Sequence, residues 1–257
     1  MKDLMIFAVQ NNRYAVSIEN IQRIIQAPIL TDIPNSHPLV EGMMSYEDNV
    51  IKVVGFREMI NLPTYGSELK VLFDKLKIQH TEWVEALKMS VTKKVTFNKT
   101  TNPHICELGK WLDGFTSYDE HVSEILKELN TYHKTLHTSA VEILELLEVD
   151  QEAAIKKVET EVYEIYNHTM GAIDTFIAEF DIVAASLQKL LIYQGSEKGT
   201  FAIKVDSIVD IAHIDPSSIK ERKESNKVSK FLELEGIIDL DNYLVNIIKS
   251  VELPENS

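Results

Sequence analysis

The chain has 257 residues, 44% of them hydrophobic and 26% charged, a balance that suits a soluble globular protein and leaves room for two compact domains. A net charge of −14 argues against direct nucleic-acid binding, which needs clustered cations facing phosphates, and against an anionic membrane surface. The single cysteine excludes an internal disulfide framework and fits a reducing cytoplasm, and neither a signal peptide nor a run near the ~18 apolar residues of a membrane span is read, so proteins or ions are the expected partners.

Residues 1–65 read as β structure. Leu4–Val9 and Arg13–Ile18 are strand-like runs joined at Asn11 and Asn12, a hairpin signal. Ile21, Ile24 and Ile25 suggest a short helical turn, Pro28, Pro34 and Pro38 punctuate a loop, and Val50–Val54 is another strand. Short strands with frequent turns predict a small barrel or sandwich.

Near Gly66 the apolar pattern changes to helical spacing, and no proline occurs between His104 and His213. One stripe runs through Leu69, Phe73, Leu76, His80, Trp83 and Leu87. A second runs through Val122, Leu129, His133, Leu136, His137 and Ala140, and a third through Ile155, Val158, Val162 and Ile165. Between the first two, Asn102 as N-cap, Pro103 at the first helical position and Gly114 as a stop predict a short helix over 103–113. Cys106 then falls in its first turn, where the helix dipole favours the thiolate. From Gln188 strand patterns return: Lys189–Tyr193, a turn between Gly195 and Gly199, Phe201–Val205, Glu235–Leu240 and Tyr243–Ile248. The order β, α, β predicts a helical domain, 66–186, inserted between two parts of a β domain, 1–65 and 187–257.

His133 and His137 lie four apart and so project from one helix face, and His80 sits in a buried stripe. With the Cys106 thiol they make a plausible zinc set, because zinc takes thiolate and imidazole in a closed tetrahedron that leaves no position for water. Each fragment also has a plain reading: a lone buried cysteine is commonly a small inert hydrophobe, and a histidine pair at this spacing is often only solvated or hydrogen-bonded. The other histidines, His37, His104, His121, His168 and His213, read as surface or packing residues. Trp83 and Trp111 read as core, with a shielding role beside the metal.

Taken together, a histidine near a Trp on the first helix, the segment Cys106-Glu-Leu-Gly-Lys-Trp-Leu112 and the closing His133-x-x-x-His137 before Ala140 resemble the chemoreceptor zinc-binding (CZB) domain. The resemblance implies a Zn2+ site whose metal ligands are His80, Cys106, His133 and His137.

The flanks, 4–63 and 188–251, resemble the CheW-like chemotaxis coupling domain. The matching residues are Tyr14-Ala-Val-Ser-Ile-Glu19, Ile33-Pro34, Val40-Glu-Gly42, Phe201–Val209 and Ile214-Asp-Pro216. The implied fold is α+β: a CheW-like double β-barrel of SH3-like type, interrupted by an inserted antiparallel helical bundle with a zinc site. The chain departs from the coupling family at Ser45-Tyr-Glu-Asp48, where Asn-x-Arg-Gly is usual, and at Lys52-Val-Val-Gly55, where Pro-Val-Val-Asp is usual. An acid does not replace the forked arginine cation in a contact.

These resemblances imply a cytoplasmic chemotaxis adaptor, not an enzyme, whose partners are a chemotaxis histidine kinase, chemoreceptors or both, with a homodimer through the helical bundle as a further expectation. Its zinc site would sense zinc or hypochlorous acid. The alternatives are a constitutive scaffold with a purely structural zinc and a zinc-dependent enzyme; against the latter, Lys134 stands where a helical His-Glu-x-x-His site has its base.

Overall fold

The structure is a computed structural model that describes residues 1–195, 199–221 and 227–254, so most of the expected turn between Gly195 and Gly199 lies outside the described residues. The chain divides into a β unit, Met1–Ser67 with Ala184–Ser257, and a helical unit, Glu68–Val183.

The β unit contains β1 (Lys2–Val9), β2 (Asn12–Ser17), β3 (Ile21–Gln26), β4 (Val40–Tyr46), β5 (Asn49–Gly55), the single turn α1 (Phe56–Met59), β6 (Lys189–Gly195), β7 (Gly199–Val205), β8 (Ser207–Ile214), β9 (Lys227–Ser229), β10 (Leu232–Leu240) and β11 (Tyr243–Val251). They form two sheets, ordered β8-β1-β2-β11-β10-β9 and β3-β6-β7-β5-β4. Each sheet therefore mixes strands from both ends of the chain: β2 pairs with β11 in parallel, and β5 with β7 in parallel. Period-2 alternation drives this arrangement. Met5, Phe7 and Val9 on β1 and Tyr14 and Val16 on β2 point into one core, while Leu4, Ile6 and Ala15 point into a second. Phe56 closes the first core edge-on to Phe7, with ring centroids 4.9 Å apart, and to Tyr14 at 4.7 Å.

Two expectations for the flanks change. Ile21, Ile24 and Ile25 belong to β3, not to a helical turn, because pairing with β6 places these β-branched side chains on a pleated surface that suits them. The helical turn is the preceding 3-10 segment Ile18–Asn20. The first hairpin turns at Gln10 and Asn11, with Gln10 at φ 51°, one residue earlier than the asparagine pair suggests.

A buried ion pair fixes α1. Arg57 donates from Nε and Nη2 to the two oxygens of Asp206, each at 2.7 Å, and from Nη1 to the Pro63 carbonyl at 3.2 Å. Asp206 also accepts from the Gln10 amide and from Gln188 Nε2.

In the helical unit, α2 (Tyr65–Lys93), α3 (Glu107–Gly114), α4 (Glu120–Val149), α5 (Gln151–Lys157) and α6 (Tyr163–Ala178) follow one another, and a π-helical turn, Val158–Val162, joins the last two. Asp119 caps α4 by accepting from the Val122 amide at 2.9 Å, and Asp150 caps α5 through Ala153. The three apolar stripes meet in a core of Trp83, Leu87, Val91, Leu136, Ile143 and Val158. Beyond the histidines, Phe73 packs on Trp111, Phe176 and Phe180 at centroid distances of 4.9, 5.3 and 5.1 Å. Each such buried side chain contributes about 1.5–3 kcal/mol, so both ends of the unit are anchored by apolar burial and the histidines lie between them. The last helix, α7 (Phe180–Leu187), leads the chain back to β6.

Candidate metal centre

His80 on α2 and His133 and His137 on α4 are 3%, 1% and 1% exposed, and Cys106 beside α3 is half-buried. One ligand atom from each lies within 4.8 Å of the others. His133 Nε2 stands 3.1 Å from Cys106 Sγ. In a zinc tetrahedron with bonds of ~2.0–2.3 Å the ligand atoms are ~3.3–3.8 Å apart, so the observed cluster is near the size that one ion draws together.

The hydrogen bonds around the rings say which nitrogens are available. His80 Nδ1 lies 2.8 Å from the Leu76 carbonyl, and His137 Nδ1 lies 3.1 Å from the Thr100 carbonyl. A carbonyl only accepts, so both Nδ1 atoms carry the proton and both Nε2 atoms present a lone pair. Those two Nε2 atoms are buried, with no hydrogen-bond partner among the described residues. Buried polar atoms are rarely left unpaired, and two lone pairs aimed at one point beside a thiol are what a cation would satisfy. The same holds for the backbone carbonyls behind them, which fix tautomer and ring orientation as outer partners of metal-bound histidines commonly do.

Charge points the same way. Burial pushes the His133 imidazole down to about 2, with neighbouring His80 and His137 adding to it, and pushes His137 down to about 4. Burial lowers His80 as well, against the Leu76 hydrogen bond. All three rings are therefore neutral near pH 7, the form that ligates metal.

Cys106 departs from its expected setting. The helix starts at Glu107, and Cys106 is its N-cap, in extended conformation at φ −69° and ψ 159°. Its Sγ accepts from the Gly109 amide at 3.2 Å and lies 3.3 Å from the Pro103 carbonyl. Residues 103–106 form a turn, so Pro103 is not the first helical residue and Asn102 does not cap the helix. Burial raises the thiol pKa and outweighs the Gly109 and Leu108 amides, opposite to the expected thiolate. A bound dication would reverse that balance, since a coordinated thiol is deprotonated outright.

Gly109 makes the turn possible. A Cβ there would lie 1.7 Å from the Pro103 carbonyl oxygen, so no larger residue lets the sulfur reach this amide without moving the chain.

Residues 80–144, which hold all four clustered side chains, match the family described as chemoreceptor zinc-binding domain, and residues 3–73 match the CheW-like domain. The chain carries a CheW-like domain and a CZB domain. No curated protein matches it. Among solved structures it is similar to the scaffolding protein TtCheW from Thermoanaerobacter tengcongensis, at 12% identity and a TM-score of 0.45, covering 96% of this chain and 84% of that one.

Within the helical unit the remaining histidines stay out of the cluster. His104 Nδ1 is 2.8 Å from an Asp113 carboxylate oxygen, His121 faces Glu179 at 3.4 Å, and His168 stacks on Tyr132 with centroids 5.0 Å apart. Outside it, His37 meets Phe231 and His213 pairs with Asp3. In the CheW-like domain, Glu47 and Asp48 form the exposed hairpin between β4 and β5, with Glu47 at φ 51°. Sequence reasoning missed the carbonyls of Leu76 and Thr100, which no residue type announces, and the close approach at Gly109, for which its place between Leu108 and Lys110 was the available signal.

Proposed function

We propose that this chain is a chemotaxis adaptor whose helical domain, inserted in a CheW-like double barrel, holds one Zn2+ through His80, Cys106, His133 and His137 and reports on it. The observation that carries this is the convergence of three neutral, buried imidazoles and one thiol on a single point, inside the segment that matches a zinc-binding family. When bound, the ion supplies a cross-link between α2, α4 and the cysteine turn. Four protein ligands leave no site for a water nucleophile, which favours a non-enzymatic role.

The chain's own residues set how such a site responds. The histidines are sealed, whereas Cys106 is only half-buried, so the sulfur is the ligand a small oxidant reaches. Hypochlorous acid delivers its OH group to the Cys106 thiolate: an S–O bond forms as the O–Cl bond breaks, and the chlorine leaves as chloride. The sulfur gives up two electrons and becomes a sulfenic acid, a poorer ligand. Loosening that ligand frees the turn at 103–106 first, since α3 buries only Leu108 and Gly109 of its own residues. The partners of this adaptor are a chemotaxis kinase and chemoreceptors, engaged through the CheW-like domain. The Glu47–Asp48 hairpin replaces the usual arginine there, which favours a partner with a cationic contact. A homodimer through the helical domain belongs to the same reading: Val71 and Ile78, seven residues apart on α2, are 72% and 61% exposed.

The test is assembly. Zinc-loaded, chelated and hypochlorous-acid-treated protein, each mixed with purified kinase and receptor fragments, should sediment in complexes of different size. Identical complexes in all three states would make the zinc a constitutive staple. Sedimentation of the adaptor alone reads the dimer.

A further inference from the structure

Thr100 occupies an unusual position for a loop residue, because its carbonyl oxygen accepts two hydrogen bonds that belong to different parts of the site. Trp83 Nε1 donates to it at 2.7 Å, and His137 Nδ1 donates at 3.1 Å. The indole also packs on the His137 ring, with centroids 5.0 Å apart, and Phe97 meets its edge at 5.4 Å. Trp83 itself is 4% exposed.

From Thr100 the chain runs to Cys106 with no helix or strand, yet it is held by its own bonds. The Asn102 amide donates to Thr100 Oγ1 at 3.1 Å, the His104 amide to Asn102 Oδ1 at 3.0 Å, and the Ile105 amide to the Asn102 carbonyl at 3.2 Å. This is a short strap with both ends at the metal centre: one end orients His137, and the other carries the sulfur. Of the groups that hold its first end, His137 is itself in the candidate ligand set and Trp83 is not.

We infer that Trp83 is a positioning residue of the metal centre, whose indole N–H pins the Thr100 carbonyl and so sets both the His137 tautomer and the reach of the strap that presents Cys106. The inference rests on the zinc reading above. Its consequence is that metal occupancy and the Trp83–Thr100 hydrogen bond stabilise each other, since each orders the same strap. A purely packing role predicts otherwise, because a phenyl ring at this position keeps most of the contact with Phe97 and His137.

The experiment is Co2+ binding to the full chain, followed by its ligand-field and thiolate charge-transfer bands. Wild type should bind one equivalent. W83F should bind roughly tenfold or more weakly, the range for loss of an outer partner, with displaced ligand-field bands. F97L, which alters packing on the indole but removes no hydrogen bond, should fall well short of that tenfold loss. W83F matching wild type, or F97L falling as far as W83F, would overturn the inference while leaving the metal site standing. Wild type that takes up no Co2+ would overturn both. A second readout needs no variant: the Trp83 indole N–H, told from Trp111 by W111F, should exchange with deuterium at least about tenfold more slowly with zinc than after chelation, and equal exchange would contradict the coupling.

Discussion

His133 Nε2 and Cys106 Sγ meet at 3.1 Å across a sequence separation of 27 residues, one from the middle of a long helix and the other from the cap of a short one. Neither element alone has a reason to bring them together. The thiol gains only a weak hydrogen bond there, and the imidazole is stripped of water. A cation held between α2, α4 and the cap of α3 would supply the missing favourable term.

Zinc should therefore stabilise the protein. At free zinc a hundred times Kd the linkage is ~2.7 kcal/mol, which for a protein of this size is a rise of about 5–10 °C in melting temperature. Calorimetry with zinc and with a chelator checks this. C106A and H133A should each lose most of the shift.

G109A should act on the same site without touching a ligand. The added methyl meets the Pro103 carbonyl oxygen, so the turn must open and the Gly109 amide leaves the sulfur. Zinc affinity should fall while the fold of the β unit is unchanged. Isothermal titration of the variant reads the first and strand amide exchange the second.

In the β unit, R57L leaves the Asp206 carboxylate buried and short of its strongest partner. Breaking such a pair from one side costs about 3–5 kcal/mol, softened here by the Gln10 amide and Gln188. The double variant R57L/D206L should be more stable than R57L alone, since no stranded charge remains. Urea unfolding of the three proteins distinguishes the outcomes.

Glu58 gives a pH dependence with a definite sign. Burial first, and the Glu41 carboxylate second, raise its pKa from 4.5 to about 7, and both of its oxygens are buried with no partner among the described residues. The folded state thus holds a proton that the unfolded chain releases. That stability is complete below about pH 4.5 and is lost as pH rises through about 7, on the order of 3 kcal/mol in all. E58Q should flatten the unfolding free energy between pH 4.5 and 7.5 relative to wild type, and an unchanged slope would remove Glu58 as its source.

The helical half was the more legible in sequence. Apolar residues at 3.6-residue spacing placed His80, His133 and His137 on inward faces, and inward they lie. The cysteine helix was misjudged at its start because Asn102 and Pro103 carry strong start signals, whereas the residue that caps it is Cys106, doing through sulfur what Ser or Asp oxygen usually does. Strand β3 was misread because three isoleucines at 21, 24 and 25 fit a helical face as well as an edge strand, and only pairing with β6, far along the chain, decides between them. Strands β4 and β8 carry only weak strand signals in the sequence. Gly42 and two methionines blur the first, and in the second Val209 and Ile211, 39% and 48% exposed, break the expected alternation of buried apolar and exposed polar side chains. Backbone carbonyls such as those of Thr100 and Leu76 leave no trace in residue type, so the outer layer of the site emerges only in three dimensions.

The most direct test of the sensing claim follows bound zinc and intact mass together while zinc-loaded protein is titrated with hypochlorous acid. The account predicts one zinc per chain, released in step with oxygen added at Cys106, and no such oxidation-linked release in C106S. Zinc that stays bound while Cys106 is oxidised, or while other residues oxidise first, would contradict it.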